Sequence, residues 1–190
     1  MKEKPGYFYF TRHGETYWNV ENKICGATDI ALTPHGHKQA VELGKLVQKQ
    51  CPDVTQILCS PLSRARETAR HVSEITGIPM RCDERLTEQN FGRYEGTARD
   101  GKEFHEAKKH FVCSFDSGET MLRVAQRVYN LLDEIRESDE VYLLVAHNGI
   151  TRIIQSYFTD MTEEEFSSFG IRNCEIRKFT FHAETENGVT

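Results

Sequence analysis

The chain has little that would carry it into a membrane or out of a cell. Its longest apolar run, VYLLVA at 141–146, is far too short to cross a bilayer. The start, MKEKPGYFYF, has no apolar core ending in a small-residue cleavage site. A soluble, cytoplasmic protein is expected. Six cysteines, Cys25, Cys51, Cys59, Cys82, Cys113 and Cys174, include no CxxC pair, and a chain of 190 residues needs no disulfide staples. They are expected to be small, mostly buried thiols in a reducing compartment. His35, His37, His105 and His110 are accompanied by no HExxH, no Cys/His quartet and no carboxylate cluster, so exposed helix-surface histidines are expected there rather than metal ligands. Basic charge is short as well. Lys and Arg number 24 against 29 Asp and Glu, and the net charge of -5 argues against broad attraction to nucleic acid or acidic membranes. There is no internal repeat, low-complexity tract or linker. One domain over 1–190 is expected, with a small cap-like excursion around 90–116.

What is present alternates. Tyr7 to Phe10 is an unbroken aromatic run suited to a strand buried on both faces, and it stops at Arg12-His13-Gly14. Gly14 is expected to supply unusual backbone angles for a close turn, and Thr16 to cap a helix just after it. Thr33 caps and Pro34 opens a helix with Ala40, Leu43, Leu46 and Val47 at helical spacing. TQILCS reads as a strand, followed by a helix with Ser60 as cap, Pro61 just inside and Gly77 as stop. IPMRC is a third strand. The polar stretch that follows loses periodicity, with one helix around 100–110, and is read as an excursion over the sheet. A capping box from Asp116 to Glu119 introduces a helix whose apolar face is Leu122, Val124, Ala125, Val128, Leu131, Leu132 and Ile135. EVYLLVAH is a central strand, a helix starts near Asn148 or Gly149, and NCEIRKFTF is an edge strand before a polar tail. Strands separated by helices imply right-handed parallel crossovers, hence a three-layer α/β/α sandwich with a mostly parallel sheet.

Ligands bind such sheets at the carboxyl ends of the strands. Arg12 and His13, Ser60 and Arg64, and His147 all fall there. Two histidines and two arginines at one sheet edge make a local cationic pocket in an acidic protein, and its natural guest is a phosphate held by arginines and helix N-termini.

TRHGETYWN, GATDIALTPHG, SPLSRARETA, LTEQNFGRYEG, SGET and VAHNGITR occur in this order between about residue 7 and residue 157. This set resembles the histidine phosphatase superfamily, which contains the cofactor-dependent phosphoglycerate mutases. The resemblance implies that His13 is a nucleophile forming a phosphohistidine, which suits neutral imidazole near pH 7. It implies that Arg12, Arg64 and His147 line the phosphate pocket, that Asn19 donates to the same phosphate, and that Thr28 is within reach of it. Glu88 falls where the family carries its proton donor, with Glu84, Asp83 and Glu15 as rivals nearby. No cofactor and no metal are implied, and the partner is a small phosphorylated metabolite.

Three functions stay open on this resemblance. Mutases of the family carry a long, proline-bearing insertion between the Glu88 segment and the GET helix. Here only about thirty residues intervene and none is proline, which favours a phosphatase of small phosphomonoesters. A mutase is the alternative, and a catalytically silent phospho-ligand binder the third. Asn148 departs from the Gly that many members have after the second histidine, as an added donor or a helix cap. Lys102, Lys108 and Lys109 make a solvated helix face or, over the pocket, a contact to a substrate's second acidic group.

Overall fold

The computed structural model describes residues 5–181. Five strands, β1 (Tyr7–Arg12), β2 (Gln56–Cys59), β3 (Met80–Cys82), β4 (Tyr142–Ala146) and β5 (Ile176–Thr180), form one sheet in the order β3-β2-β4-β1-β5. Every pairing is parallel except that of β5, which runs antiparallel to β1 at one edge. The expected α/β sandwich is present.

Side chains on a strand alternate between faces, and here both faces are covered. Phe8 and Phe10 of β1, Leu58 of β2 and Leu144 of β4 enter one core. It is completed by Val128, Leu131 and Leu132 of α5 (Met121–Arg136), Ile150 and Ile154 of α6 (Asn148–Phe158), and Phe166 of α7 (Glu163–Ser168). The alternate residues Ile57, Cys59, Leu143 and Val145 enter a second core against α2 (Pro34–Gln50) and α3 (Ser63–Thr76). Each buried Leu, Ile or Val contributes roughly 1.5–3 kcal/mol, so the apolar runs of β1 and β4 are explained by burial on two sides. A third cluster of Ile24, Phe91, Tyr94, Phe104 and Phe115 lies outside the sheet sandwich, with Phe104 on the short α4 (Lys102–Ala107).

Thr16 caps α1 (Tyr17–Val20) through a capping box with Asn19, and Thr33 caps α2 with Pro34 at its first turn, as expected. Several local expectations fail for identifiable reasons. Gly14 does not adopt a left-handed conformation; a Cβ there would meet the backbone carbonyl of Gly36, so glycine permits the first turn and α2 to touch. Helix α3 starts at Ser63 after Leu62, and Ser60 lies outside it, its hydroxyl accepting from Leu62 N (3.3 Å) and meeting His147 Nε2 (2.7 Å). No Asp116–Glu119 box forms. Phe115 and Asp116 both have positive φ (57° and 70°), which turns Phe115 into the third cluster, and Thr120 caps α5 instead. Leu46 and Leu122, assigned to apolar faces, are exposed, and Met121 is buried instead of Leu122. Cys82 and Cys113 are exposed thiols rather than buried ones. His37 is half-buried, with Nδ1 3.0 Å from Nε2 of His71. Helix α7 was not foreseen, although its Thr162–Glu165 capping box is written in the sequence. The polar tail lies outside the described residues.

Candidate active site

His13 leaves the end of β1 with its backbone fixed on both sides: its N–H donates to Ala146 O (3.0 Å) and its carbonyl accepts from Asn173 Nδ2 (2.7 Å). The residue is 5% exposed, and its ring Nδ1 lies 2.7 Å from Gly14 O. A carbonyl can only accept, so Nδ1 carries the proton and Nε2 keeps its lone pair. Burial, followed by the charges of Arg64 and Arg12, pushes the imidazole well below its ordinary 6.5, and the ring is neutral at pH 7.

His147 ends β4 and its ring centroid is 5.2 Å from that of His13. Arg64 Nε donates to its Nδ1 (3.3 Å), so Nε2 carries the proton toward Ser60 Oγ at 2.7 Å. Burial and then Arg64 hold this histidine neutral too. Arg64 is fully buried; its other nitrogens donate to Thr28 O (2.9 Å) and Gly26 O (2.7 Å). It therefore stands behind the two histidines as a fixed charge and a bracket. Thr28 meets the site through its backbone, holding Arg64, and is not in the cavity wall.

A cavity of about 100 Å³ opens over His13. Arg12, Asn19, Glu88 and Asn148 line it. Arg12 donates through Nη1 to Ile171 O (3.2 Å), but its buried Nε has no acceptor, an arrangement that an anion would complete. Burial and neighbouring Arg99 lower Arg12 to about 10. Asn19 spends its Oδ1 on the Thr16 amide (3.0 Å), leaving its Nδ2 donors for the cavity.

Glu88 is 5% exposed, and its carboxylate accepts from the amides of Gly149 (2.9 Å) and Gln89 (3.0 Å). The first turn of α6 thus aims this acid, and a Cβ on Gly149 would run into its carboxylate. Of its rivals, Asp83 is bound to Arg85 (2.6 Å) and Glu15 to Thr33 (2.8 Å), and neither they nor Glu84 line the cavity. Asn148 Oδ1 accepts from Ile171 N (3.0 Å), a brace between α6 and the segment before β5.

Three further cations reach the cavity: Arg99, Lys108 and Arg152. Lys102 and Lys109 do not. Arg152 was legible, since it follows Asn148 by four residues and therefore shares its helix face. Arg99 sits in an aperiodic turn and gave no signal.

A family description, "Histidine phosphatase superfamily (branch 1)", matches residues 8–189. A protein of Erwinia tasmaniensis named "Probable phosphoglycerate mutase GpmB" is 31% identical over 179 residues, which span 90% of this chain and 82% of that one. The structure of a mycobacterial glucosyl-3-phosphoglycerate phosphatase, solved with VO3, superposes with a TM-score of 0.81 at 26% identity, covering 94% of this chain and 92% of that one. YhfR of Bacillus stearothermophilus superposes with a TM-score of 0.78 at 30% identity over 97% and 98% of the two chains. A match across nearly the whole length, carried by the same architecture, settles the family: the chain belongs to branch 1 of the histidine phosphatase superfamily.

Proposed function

We propose that the protein hydrolyses small phosphomonoesters in two displacements through a phosphohistidine on His13. The observation that carries this reading is the neutral, buried His13 with its lone pair on Nε2, beside an Arg12 whose buried Nε lacks an acceptor. The phosphoryl group lies against Arg12 and Asn19, with Arg64 adding positive charge from behind; positioning and electrostatics supply most of the catalysis of phosphoryl transfer. Nε2 attacks phosphorus, the P–O ester bond breaks, and Glu88 delivers its proton to the departing oxygen. A water then attacks the phosphohistidine, Glu88 takes that water's proton, and inorganic phosphate leaves with His13 neutral again. His147, held by Ser60 and Arg64, packs against His13 and keeps its ring in place.

Isomerisation is the second reading, favoured by the name of the Erwinia tasmaniensis relative. It requires water to be kept from the phosphohistidine while the substrate turns over in place. The short segment between Glu88 and α5 supports hydrolysis instead, since its one α-helix, α4, has 6 residues.

Phosphate release from a panel of phosphomonoesters in the presence of a chelator, beside His13→Ala and a phosphoglycerate isomerisation assay, tests both readings. Release that disappears in His13→Ala is expected. Isomerisation faster than release would replace the phosphatase by a mutase, and no turnover of any ester would leave a phospho-ligand binder.

A further inference from the structure

Two of the six free cysteines face each other. Cys59 closes β2 and Cys82 closes β3, and the parallel pairing of the two strands sets them directly opposite. Their side chains therefore share one face of the sheet, and the sulfurs are 3.6 Å apart. Register partners on neighbouring strands lie about 4.8 Å apart, inside the Cα span of about 4.4–6.8 Å that a disulfide bridges. The sulfurs have only to close to a bond of about 2 Å.

The two thiols differ in a way that divides the chemistry. Cys82 is exposed on the sheet's edge strand, open to a small oxidant. Cys59 is fully buried, and burial, then the neighbouring Cys82, holds its thiol above the ordinary range, so it keeps its proton until its partner is oxidised. A sulfenic acid formed on Cys82 would meet a thiol at contact distance, with which sulfenic acids condense. Neither sulfur lines the cavity over His13, yet each is one residue from a segment that shapes it. Ser60 follows Cys59, and its hydroxyl meets His147 Nε2 at 2.7 Å. Asp83 follows Cys82, and its amide donates to Cys59 O (2.9 Å) before the chain runs on to Glu88. Cys59 is packed on all sides, so drawing its sulfur toward Cys82 displaces its backbone and Ser60 with it.

We propose that Cys59 and Cys82 are a redox-active dithiol, closed to a disulfide by a hydroperoxide and reopened by a free thiol, and that closure lengthens the contact between Ser60 and His147. The Cys82 sulfur attacks hydrogen peroxide, the O–O bond breaks, and Cys82 becomes a sulfenic acid as water leaves. The Cys59 sulfur then attacks the Cys82 sulfur, the S–O bond breaks, and the hydroxyl departs with the Cys59 proton as a second water. Two electrons pass from the sulfurs to the peroxide, and two equivalents of a free thiol return them by exchange. The dithiol is independent of the reaction proposed at His13.

Equimolar hydrogen peroxide added to the full chain, followed by mass analysis of the intact protein and its peptides, tests the bond. Loss of two hydrogens is expected, restored by dithiothreitol, with Cys59 joined to Cys82 in the fragmented peptides. Cys59→Ala is expected to stop at the sulfenic acid on Cys82, captured by dimedone, and Cys82→Ser to lose no hydrogens. An unchanged mass in the parent protein overturns the dithiol, as does a loss of two hydrogens that survives Cys82→Ser. A dimedone adduct as abundant in the parent as in Cys59→Ala overturns it too, since Cys59 would then resolve nothing. The link to the site is read without turnover, from the imidazole signals of isotope-labelled histidine, with His147→Gln for assignment. The Nε2 proton of His147 is expected to move upfield on oxidation as its hydrogen bond lengthens, and to stay in place in Cys82→Ser. A resonance that stays in place in the parent after the bridge has closed overturns the link.

Discussion

The Glu95 carboxylate accepts from the amides of Gly26 (3.0 Å), Ala27 (3.0 Å), Thr28 (3.3 Å) and Phe91 (3.0 Å). One side chain thereby ties the loop that holds Arg64 to the segment that follows Glu88. Glu95→Gln keeps the shape but replaces an all-acceptor group by one that presents an N–H₂ to amide donors. A loss of about 2 kcal/mol in unfolding free energy is expected, with KM raised, measured by urea denaturation and steady-state kinetics. Gly149 presents a different sensitivity. Its amide orients Glu88, and there is no room for a Cβ beside that carboxylate. Gly149→Ala is expected to lower kcat about a hundredfold by displacing the acid, with a much smaller effect on His13 phosphorylation by a substrate whose leaving group needs no proton. Equal loss for acid-dependent and acid-independent leaving groups would place the damage elsewhere.

At the level of elements, two glycines separate backbone conformation from space. Gly77 ends α3 with φ 74° and has open space around its Cα, so Gly77→Ala is expected to cost only about 1 kcal/mol. Gly14 has an ordinary φ but touches the Gly36 carbonyl, so Gly14→Ala must separate β1 from α2 and is expected to cost more than Gly77→Ala, with activity falling because His13 moves. Thermal unfolding and phosphate release of the two variants check the order. The same contrast explains what could be read before the fold was known. The stop at Gly77, the cap at Thr33 and the two-sided burial of β1 and β4 are written locally, in residues next to the features they make. Ser60 was misread because its hydroxyl meets the Leu62 amide in a bend before the helix and, 87 positions away, His147. The third cluster was invisible because Ile24, Phe91, Tyr94, Phe104 and Phe115 come from turns and a single helical turn, so no period connects them. Arg99 is held by the backbone of Asn22 (N–H to O, 2.9 Å) and Lys23 (Nη2 to O, 3.0 Å), a pairing of two loops that no local pattern announces, whereas His13, Arg64, Glu88 and His147 sit at the ends of regular elements or in quoted motifs.

Across the whole molecule, the two neutral histidines connect the site to stability. Both are buried beside Arg64, and both are held well below 6.5 in the folded protein, whereas the unfolded chain releases them to titrate near that value. Below pH 6.5 the unfolded state therefore binds more protons than the native state, and stability falls as pH falls. Each histidine adds a slope approaching about 1.4 kcal/mol per pH unit, and His71, lowered by burial and then Arg70, adds to the same trend. Carboxylates with depressed values, such as Asp83 against Arg85, lose their contribution only at lower pH, as they protonate through their folded values. The interval from 6.5 to 5 accordingly belongs to the histidines. Urea unfolding at pH 6.5, 5.75 and 5 is expected to show a steep loss in the parent protein, reduced in His147→Gln by nearly one histidine's slope even though that variant starts less stable. A parallel displacement of the two curves, with the slope unchanged, would mean that His147 is charged in the folded protein, and an imidazolium there would add its positive charge to Arg64 beside His13.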